Sequence, residues 1–361
     1  MGSIRTIVID DSPFMRKTIS DILSSDSRVN VIATASDGEE GVQKIYKYSP
    51  DVVTLDVEMP KLDGMATLKK IMDTKPTPVI MLSGTTSANA AKTVQAISNG
   101  AVDFIAKPCG TIRLDTIKQQ IIDKVIAAAS AALPRQPQGE TLRVGMKKQK
   151  ESLAWSHART IVAIGASTGG PRALQRILSD LPEDFSAPIC IVQHMPKGFT
   201  TSLAERLNTL NRMHVKEAVH GEVIRERTVY IAPGDTHLQI ADWGKGHMLK
   251  LTKQPLRNGH RPSVDVLFES LATIQDVNKL AIVLTGMGSD GAQGITSLKT
   301  TDKNAVVIAE SATSSVVYGM PKAALQTNHV NYSVHLHRIG SMMAELINRP
   351  KGDVKWIQHN T

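Results

Sequence analysis

Ile161-Val162-Ala163-Ile164 runs directly into Gly165-Ala166-Ser167-Thr168-Gly169-Gly170, and this stretch decides the fold of the second half of the chain. The first four residues are apolar and β-prone, and the apolar residues from 171 to 181 have helical spacing. The sequence therefore predicts a strand, a tight turn and a helix, with Ser167 on the turn. Gly165-x-Ser167-x-Gly169 matches a nucleophile elbow, in which backbone N–H groups are left free for an oxyanion. Glycine-rich turns also cradle phosphates, so this stretch alone leaves both interpretations open.

Two further strands are predicted to end in residues that suit the nucleophile interpretation. The apolar run at residues 187–192 leads into His194, and the run at 280–284 leads into Asp290. Because the carboxyl ends of parallel strands meet at one edge of a sheet, Ser167, His194 and Asp290 are expected to lie together there. Such a set provides a nucleophile, a base that takes and returns its proton, and a carboxylate that orients the imidazole. The chain order differs from that of the α/β-hydrolases, in which the acid precedes the histidine, so that fold is not implied.

Each member of this set also has an ordinary structural alternative. A histidine at a strand end is often a hydrogen-bonded structural residue. Asp290 precedes Gly291 after a Gly-x-Gly sequence, a pattern that is typical of turns and helix N-caps, because aspartate accepts hydrogen bonds from the first helical amides. Asp290 can fill both roles, and the occurrence of all three residues at strand ends favours catalysis.

Length and composition indicate a globular protein of two domains. The chain has 361 residues, of which 41% are hydrophobic, and it contains no apolar run of membrane-spanning length. The amino-terminal residues lack a signal-peptide pattern, so we expect a soluble cytoplasmic protein without membrane insertion. Cys109 and Cys190 form neither zinc nor redox spacing, which fits a reducing compartment.

The net charge of +8 is unevenly distributed along the chain. The first 130 residues are balanced, and the excess of basic residues lies in residues 131–361. Aromatic residues make up only 4% of the chain, and no helix-turn-helix, zinc or RNA-recognition signature is present. We therefore expect an acidic protein surface as the partner, and no nucleic acid.

Five short β-rich runs alternate with helical periods in the first third of the chain and predict a doubly wound parallel sheet. The carboxylates of Asp10, Asp11 and Asp56 follow two of these runs, and Lys107 follows a third. Three carboxylates at one edge repel one another unless a cation is present, and a site of hard oxygen ligands suits Mg²⁺. The predicted runs are residues 6–9, 29–33, 52–55, 79–82 and 102–105.

Residues 3–128 resemble the receiver domain of two-component response regulators, which has a flavodoxin-like (βα)5 fold. The resemblance rests on Asp10-Asp11, Asp56, Met59-Pro60-x-Leu62-Asp63-Gly64, Ser83, Phe104 and Lys107-Pro108. It implies that a histidine kinase phosphorylates Asp56 and that Asp10, Asp11 and Asp56 hold Mg²⁺. It also implies that Lys107 pairs with the phosphoryl group and that Ser83 and Phe104 form the switch pair. Metal and lysine would neutralise charge during phosphoryl transfer.

The domain boundaries are predicted from composition. Pro134, Pro137 and Gly139, followed by the basic segment at residues 147–150, are typical of a polar linker. We therefore predict a receiver domain at residues 1–128, a linker at 129–157 and a catalytic domain at 158–350.

Six ordered motifs in the second domain resemble the CheB-type chemotaxis methylesterases. They are Gly165-Ala166-Ser167-Thr168-Gly169-Gly170, Gln193-His194-Met195-Pro196, Tyr230-Ile231-Ala232-Pro233-Gly234, Arg261-Pro262-Ser263-Val264-Asp265, Thr285-Gly286-Met287-Gly288-x-Asp290-Gly291 and Tyr318-Gly319-Met320-Pro321. The resemblance implies a doubly wound, largely parallel α/β/α domain that hydrolyses glutamate methyl esters of chemoreceptors and deamidates receptor glutamines. It also implies a receiver that blocks the site until Asp56 is phosphorylated by a histidine kinase of the CheA type.

Residue roles follow from the same resemblance. Ser167 is the nucleophile, His194 the base and then the acid, and Asp290 the orienting carboxylate. The backbone N–H of Met287 is the oxyanion donor, and hydrolysis needs no cofactor. The chain departs from the family at Ser311, where a further acid usually follows the strand.

Two other classes of protein are considered. A phosphorylation-dependent adaptor would bind receptors or kinase without chemistry, but it has no need of serine, histidine and aspartate on three strand ends. A dinucleotide enzyme is disfavoured because Ser167 replaces the second glycine of the G-x-G-x-x-G fingerprint.

Overall fold

A computed structural model describes residues 2–84, 86–107, 114–131, 159–244 and 246–347 of the chain. It contains two parallel sheets, one of five strands before residue 131 and one of seven strands after residue 159. A separate antiparallel hairpin belongs to the second part. The predicted linker at 129–157 and the residues Pro108 and Cys109 lie largely or wholly outside the described residues, and the domain boundaries stay a prediction.

The first sheet has the strand order β2-β1-β3-β4-β5, with every neighbouring pair parallel. Side chains from Ser12, Asp37, Asp63 and Thr86 accept hydrogen bonds from the first-turn amides of four of its helices, which explains where those helices begin. The strands are β1 (Ile4–Ile9), β2 (Val29–Ala35), β3 (Val52–Asp56), β4 (Val79–Ser83) and β5 (Asp103–Ala106). The helices are α1 (Pro13–Ser24), α2 (Gly38–Tyr48), α3 (Gly64–Thr74), α4 (Ser87–Ser98) and α5 (Leu114–Ala129).

The second sheet has the order β14-β13-β12-β6-β7-β9-β8 and is parallel throughout. Its strands are β6 (Thr160–Ala166), β7 (Ile189–Gln193), β8 (His214–Glu217), β9 (Thr228–Ile231), β12 (Asn278–Val283), β13 (Val306–Glu310) and β14 (Tyr332–Val334). The hairpin consists of β10 (His237–Trp243) and β11 (Gly246–Thr252). The helices are α6 (Gly170–Ser179), α7 (Phe199–Leu210), α8 (Val264–Thr273), α9 (Ala292–Thr301), α10 (Met320–Gln326) and α11 (Leu336–Ile347).

Both sheets are buried on both faces. Alternate residues of β1 belong to different apolar clusters, with Ile7 on one side and Val8 on the other, and β6 divides Ile161 and Val162 in the same way. This arrangement confirms the predicted fold class: a flavodoxin-like receiver followed by a parallel α/β/α domain. The predicted strand positions are correct, although most strands extend one or two residues beyond the apolar runs.

One apolar cluster continues from the first sheet into the second. Helix α4 packs against α7 and α6, and the ring of Phe104 stacks on that of Phe199 with 4.4 Å between centroids. The two domains are therefore in direct apolar contact. Among the residues that the structure describes, no helix is long and apolar enough to cross a bilayer.

Candidate active site

The predicted site lies where the strand order of the second sheet reverses. Strand β6 lies between β7 and β12. From β6 the strand order continues through β7, β9 and β8 to one edge of the sheet, and through β12, β13 and β14 to the other edge. Crevices form at such switch points beyond the carboxyl ends of the strands. The backbone N–H of Ser167 donates to the carbonyl of Thr285 at 3.0 Å, and that of His194 donates to the carbonyl of Ala166 at 3.1 Å. The ends of the three strands are thus joined around Ser167.

His194 and Asp290 form a buried pair. The Nε2 atom of His194 lies 2.8 Å from Oδ2 of Asp290, and the two side chains are only 7% and 1% exposed. The Nδ1 atom of His194 is buried and finds no hydrogen-bond partner in the described ranges. Nδ1 is therefore the ring nitrogen that remains available to take a proton from a nucleophile.

The structure shows a direct contact between His194 and Asp290 and places Ser167 directly after the neighbouring strand, β6. Within the described part of the chain the hydroxyl of Ser167 makes no hydrogen bond, so its contact with Nδ1 of His194 stays a prediction. Contacts between a nucleophile and its base are often long in a free enzyme and tighten when substrate binds.

Asp290 is held by the start of a helix from another part of the chain. Its carboxylate accepts hydrogen bonds from Ser263 Oγ at 2.8 Å, Val264 N at 2.7 Å and Asp265 N at 3.1 Å, at the amino terminus of α8. Burial disfavours the charge, but the hydrogen bonds from His194 and from these amides outweigh it and hold the pKa of Asp290 below its usual range. Asp290 therefore contacts both the imidazole of His194 and the first amides of a helix, as each of its two predicted roles requires.

Asp265, in α8, makes the corresponding contact with the start of α9. Its Oδ1 atom accepts hydrogen bonds from Gly291 N at 2.8 Å and Gly294 N at 2.7 Å, at the start of α9. Burial raises the pKa of Asp265 to about 6, and the nearby charge of Asp290 adds to this effect. The first amides of α8 thus donate to Asp290, which precedes α9, and the first amides of α9 donate to Asp265, which lies in α8.

The turn that carries Ser167 has the expected geometry. Gly169 has a φ of +80°, a left-handed conformation that favours glycine, and α6 begins directly after it. The carbonyl of Ser167 accepts hydrogen bonds from Gly170 N at 2.8 Å and Gln193 Nε2 at 2.9 Å. A Cβ atom at Gly286 would lie 2.8 Å from Cβ of Ser167, so glycine permits this close approach.

Two backbone amides of the loops at this site are available as hydrogen-bond donors. The backbone N–H groups of Met287 and Thr168 donate no hydrogen bond to any described residue. Sequence analysis named Met287 as the oxyanion donor. Thr168, the residue after Ser167, is a second suitable donor, since the nucleophile elbow uses the amide at that position.

Glu310 supports the site from the adjacent strand. Its Oε2 atom accepts a hydrogen bond from Thr285 N at 2.8 Å, and the carbonyl of Thr285 accepts from Ser167. Burial raises the pKa of Glu310 to about 7, against the opposing effect of the Thr285 hydrogen bond. Ser311, the departure from the family pattern, begins a turn, and its carbonyl accepts hydrogen bonds from the amides of Ser314 and Ser315.

The first domain carries the predicted acidic site. Asp10, Asp11 and Asp56 each place an oxygen within 4.8 Å of the others, and Lys107 lies 2.6 Å from Asp56 and 2.9 Å from Asp10. Burial raises the pKa of Asp56 to about 6, and Lys107 partly offsets this effect. Burial also disfavours the ammonium of Lys107, but the hydrogen bonds with Asp56 and Asp10 prevail and raise its pKa. The oxygen donors and the excess of negative charge fit Mg²⁺.

Of the two predicted switch residues, Ser83 contacts the acidic site and Phe104 contacts the second domain. The carbonyl of Ser83 accepts from the amide of Lys107 at 2.7 Å, and its hydroxyl accepts from Thr93 Oγ1 at 2.7 Å. Phe104 is buried and stacks on Phe199, as described above.

A polar contact beside Phe104 reaches the turn that carries the nucleophile. Thr168 Oγ1 donates to Asp103 Oδ2 at 2.8 Å, and Lys124 Nζ lies 3.0 Å from the same oxygen. The side chain of Thr168, the residue after Ser167, is therefore hydrogen-bonded to the first domain.

Sequence reasoning assigned no role to several residues that shape the site. Ser263 and Asp265 belong to a quoted motif, and Gln193 precedes His194, so motif position was the available signal for these three. His260 stacks on His194, with 3.8 Å between ring centroids and an angle of 8° between planes. It lies just before the Arg261-Pro262 motif and has no signal of its own.

A flavodoxin-like domain with an acidic site, joined to a parallel sheet with a serine and a histidine–aspartate pair at its switch point, defines a response regulator with an enzymatic output domain. Residues 6–119 match the response regulator receiver domain model, and residues 162–343 match the CheB methylesterase model. The chain belongs to the CheB methylesterase family.

Individual relatives agree with this assignment. The chain is 49% identical over 352 residues to a protein-glutamate methylesterase/protein-glutamine glutaminase of Oceanobacillus iheyensis, covering 96% of this chain and 99% of that protein. A Bacillus subtilis protein with the same description is 42% identical over 356 residues, again covering 96% and 99%. The crystal structure of the Thermotoga maritima CheB methylesterase catalytic domain is 41% identical and covers 53% of this chain and 100% of that chain, with a TM-score of 0.50.

Proposed function

We propose that this protein is a protein-glutamate methylesterase and protein-glutamine glutaminase that acts on cytoplasmic chemoreceptor helices. The observation that carries the proposal is the buried pair of His194 and Asp290 at the strand end beside Ser167, with Nδ1 of His194 left without a partner among the described residues. A purely binding protein gains nothing from burying an imidazole in this way, because an unpaired buried polar atom costs stability. The buried imidazole therefore disfavours a non-catalytic adaptor.

The mechanism uses the residues of this site in turn. Ser167 attacks the ester carbonyl while His194 accepts its proton at Nδ1, and Asp290 stabilises the imidazolium through Nε2. The amides of Met287 and Thr168 donate to the developing oxyanion. Protonated His194 gives its proton to the departing methoxide oxygen, which leaves as methanol. Water, which gives a proton to His194, then attacks the glutamyl-enzyme, and the glutamate carboxyl group leaves as Ser167 takes that proton back. Glutamine has the same carbonyl, so deamidation follows the same steps with ammonia as the leaving group.

The first domain would regulate this reaction. Asp56 would accept a phosphoryl group from a histidine kinase of the CheA type, and Asp10, Asp11 and Asp56 would hold Mg²⁺. When bound, Mg²⁺ neutralises charge on the phosphoryl oxygens. Lys107 would pair with the phosphoryl group, and Ser83 and Phe104 would pass the change to the domain contact. The contacts Phe104–Phe199 and Asp103–Thr168 support inhibition by the unphosphorylated receiver, since both join the two domains and the second reaches the residue after Ser167.

Release of methanol from methylated receptor membranes tests the catalytic proposal. Wild-type protein should release methanol, and a small-molecule phosphodonor should increase the rate. Ser167→Ala should release none while keeping its melting transition. His214→Ala, at an exposed position on β8, is the matched control and should behave as wild type. Methanol release by Ser167→Ala at the wild-type rate would refute the mechanism.

A further inference from the structure

His260 is a partly buried histidine that the proposed mechanism does not use. Its ring lies parallel to that of His194 at a centroid distance of 3.8 Å and an interplanar angle of 8°. The residue belongs to the loop before α8, where its carbonyl accepts from the amide of Arg257 at 3.0 Å. A loop that also leads to Ser263 and Val264, both donors to Asp290, therefore places a flat ring against the catalytic imidazole.

The hydrogen bond to Asp290 alone does not fix the plane of the His194 ring. It restrains Nε2, but small changes in the χ1 and χ2 torsions of His194 can still tilt the ring and move Nδ1 relative to Ser167. A parallel ring on one face, with 3.8 Å between centroids, limits this tilt because the two rings would collide.

The charge state of His260 suits this position. Burial lowers the pKa of His260 to about 4, and the charges of His194 and of Lys124 from α5 add to this effect against that of Asp290. His260 is therefore a neutral ring at physiological pH. A neutral ring does not repel the imidazolium that forms on His194 when the serine proton is transferred, whereas a second imidazolium would.

We propose that His260 is a positioning residue of the esterase: its ring, stacked on His194, holds the plane of the imidazole so that Nδ1 is directed at Ser167, and its face shields the imidazolium from water. The inference rests on the proposed function. It concerns a contact between two side chains and adds no step to the reaction.

Three substitutions at this position separate ring geometry from simple filling of space. His260→Ala removes the ring, His260→Leu restores apolar volume without a flat face, and His260→Phe restores a flat neutral face. We expect His260→Ala to lower kcat by on the order of tenfold to a hundredfold, because a misplaced catalytic group typically costs a factor of that size. KM should change little, since His260 acts on the base. His260→Phe should recover most of the lost kcat, and His260→Leu should not.

The measurement is methanol release by the full-length protein with a phosphodonor, with thermal melting recorded for each variant. His214→Ala again serves as the histidine control. The inference is wrong if His260→Ala keeps the wild-type kcat, or if Leu restores kcat as fully as Phe, which would indicate a packing role. Failure of wild-type protein to release methanol would instead refute the proposed function, so the two failures are distinguishable.

Discussion

Glu310 is a fully buried carboxyl group that is bonded to the backbone of the strand end supporting Ser167. Its pKa of about 7 means that the folded protein keeps a proton that the unfolded chain, with a carboxyl pKa of about 4.3, releases. Between these two values the unfolded state binds fewer protons, so the free energy of unfolding falls as pH rises. Above about pH 7 the loss is complete.

Replacing this carboxyl group should therefore stabilise the protein at alkaline pH. Glu310→Gln keeps an oxygen that can accept from the Thr285 amide and has no charge to bury. We expect its free energy of unfolding to exceed that of wild type by about 3 kcal/mol near pH 8, with the difference vanishing near pH 4. Urea denaturation at several pH values measures this, with the exposed Glu205→Gln on α7 as control. A difference independent of pH would show that Glu310 is not protonated in the folded protein.

Sequence reasoning identified the residues whose position depends on strand ends. Ser167, His194 and Asp290 each follow an apolar run, and parallel strands bring such positions to one edge. His260 follows no strand and reaches His194 only through the path of its loop. The burial that raises the pKa of Glu310 likewise depends on neighbours distant in sequence, so no local pattern predicts it.

At the scale of secondary structure, the site depends on two helices whose amino termini share carboxylates. Asp290 precedes α9 and accepts from amides of α8, while Asp265 lies in α8 and accepts from amides of α9. The sequence predicted that Asp290 could cap a helix, since the Asp-Gly pattern is typical of caps. It could not predict which helix, because that depends on how α8 and α9 pack.

Removing the Asp265 carboxylate should destabilise the amino termini of both helices. Asp265→Ala leaves the amides of Gly291 and Gly294 without their acceptor, and we expect a loss of about 1–2 kcal/mol in the free energy of unfolding. Methanol release should also fall, because the start of α9 positions Asp290. Asp265→Asn keeps an oxygen acceptor and should lose less.

Urea denaturation and methanol release, measured on the same preparations, check this expectation. Asp184→Ala is the control, since Asp184 is exposed and its side chain forms no hydrogen bond or ion pair with other described residues. Equal stability of Asp265→Ala and Asp184→Ala would contradict a capping role for Asp265.

At the scale of the whole molecule, the sequence predicted two α/β domains but not how they meet. Hydrophobic periodicity shows which face of a helix is buried and not which neighbour buries it. In the structure, α4 of the receiver packs on α6 and α7, and the receiver residue Asp103 bonds to Thr168 next to the nucleophile. The resemblance implied a receiver that blocks the site, and these contacts supply specific residues through which to test that idea.

The stack of Phe104 on Phe199 is the contact best suited to such a test, because Phe104 is also a predicted switch residue. Phe199→Ala removes the stack without altering the receiver. A stacked aromatic pair contributes about 0.5–1.5 kcal/mol beyond its buried area, so we expect basal methanol release to rise by about threefold to tenfold. The phosphorylated rate should stay near that of wild type, and stimulation by a phosphodonor should shrink accordingly.

Asp103→Asn, which weakens the Thr168 contact instead, should act in the same direction. If both folded variants keep the low basal rate of wild type, these contacts do not hold the enzyme inactive.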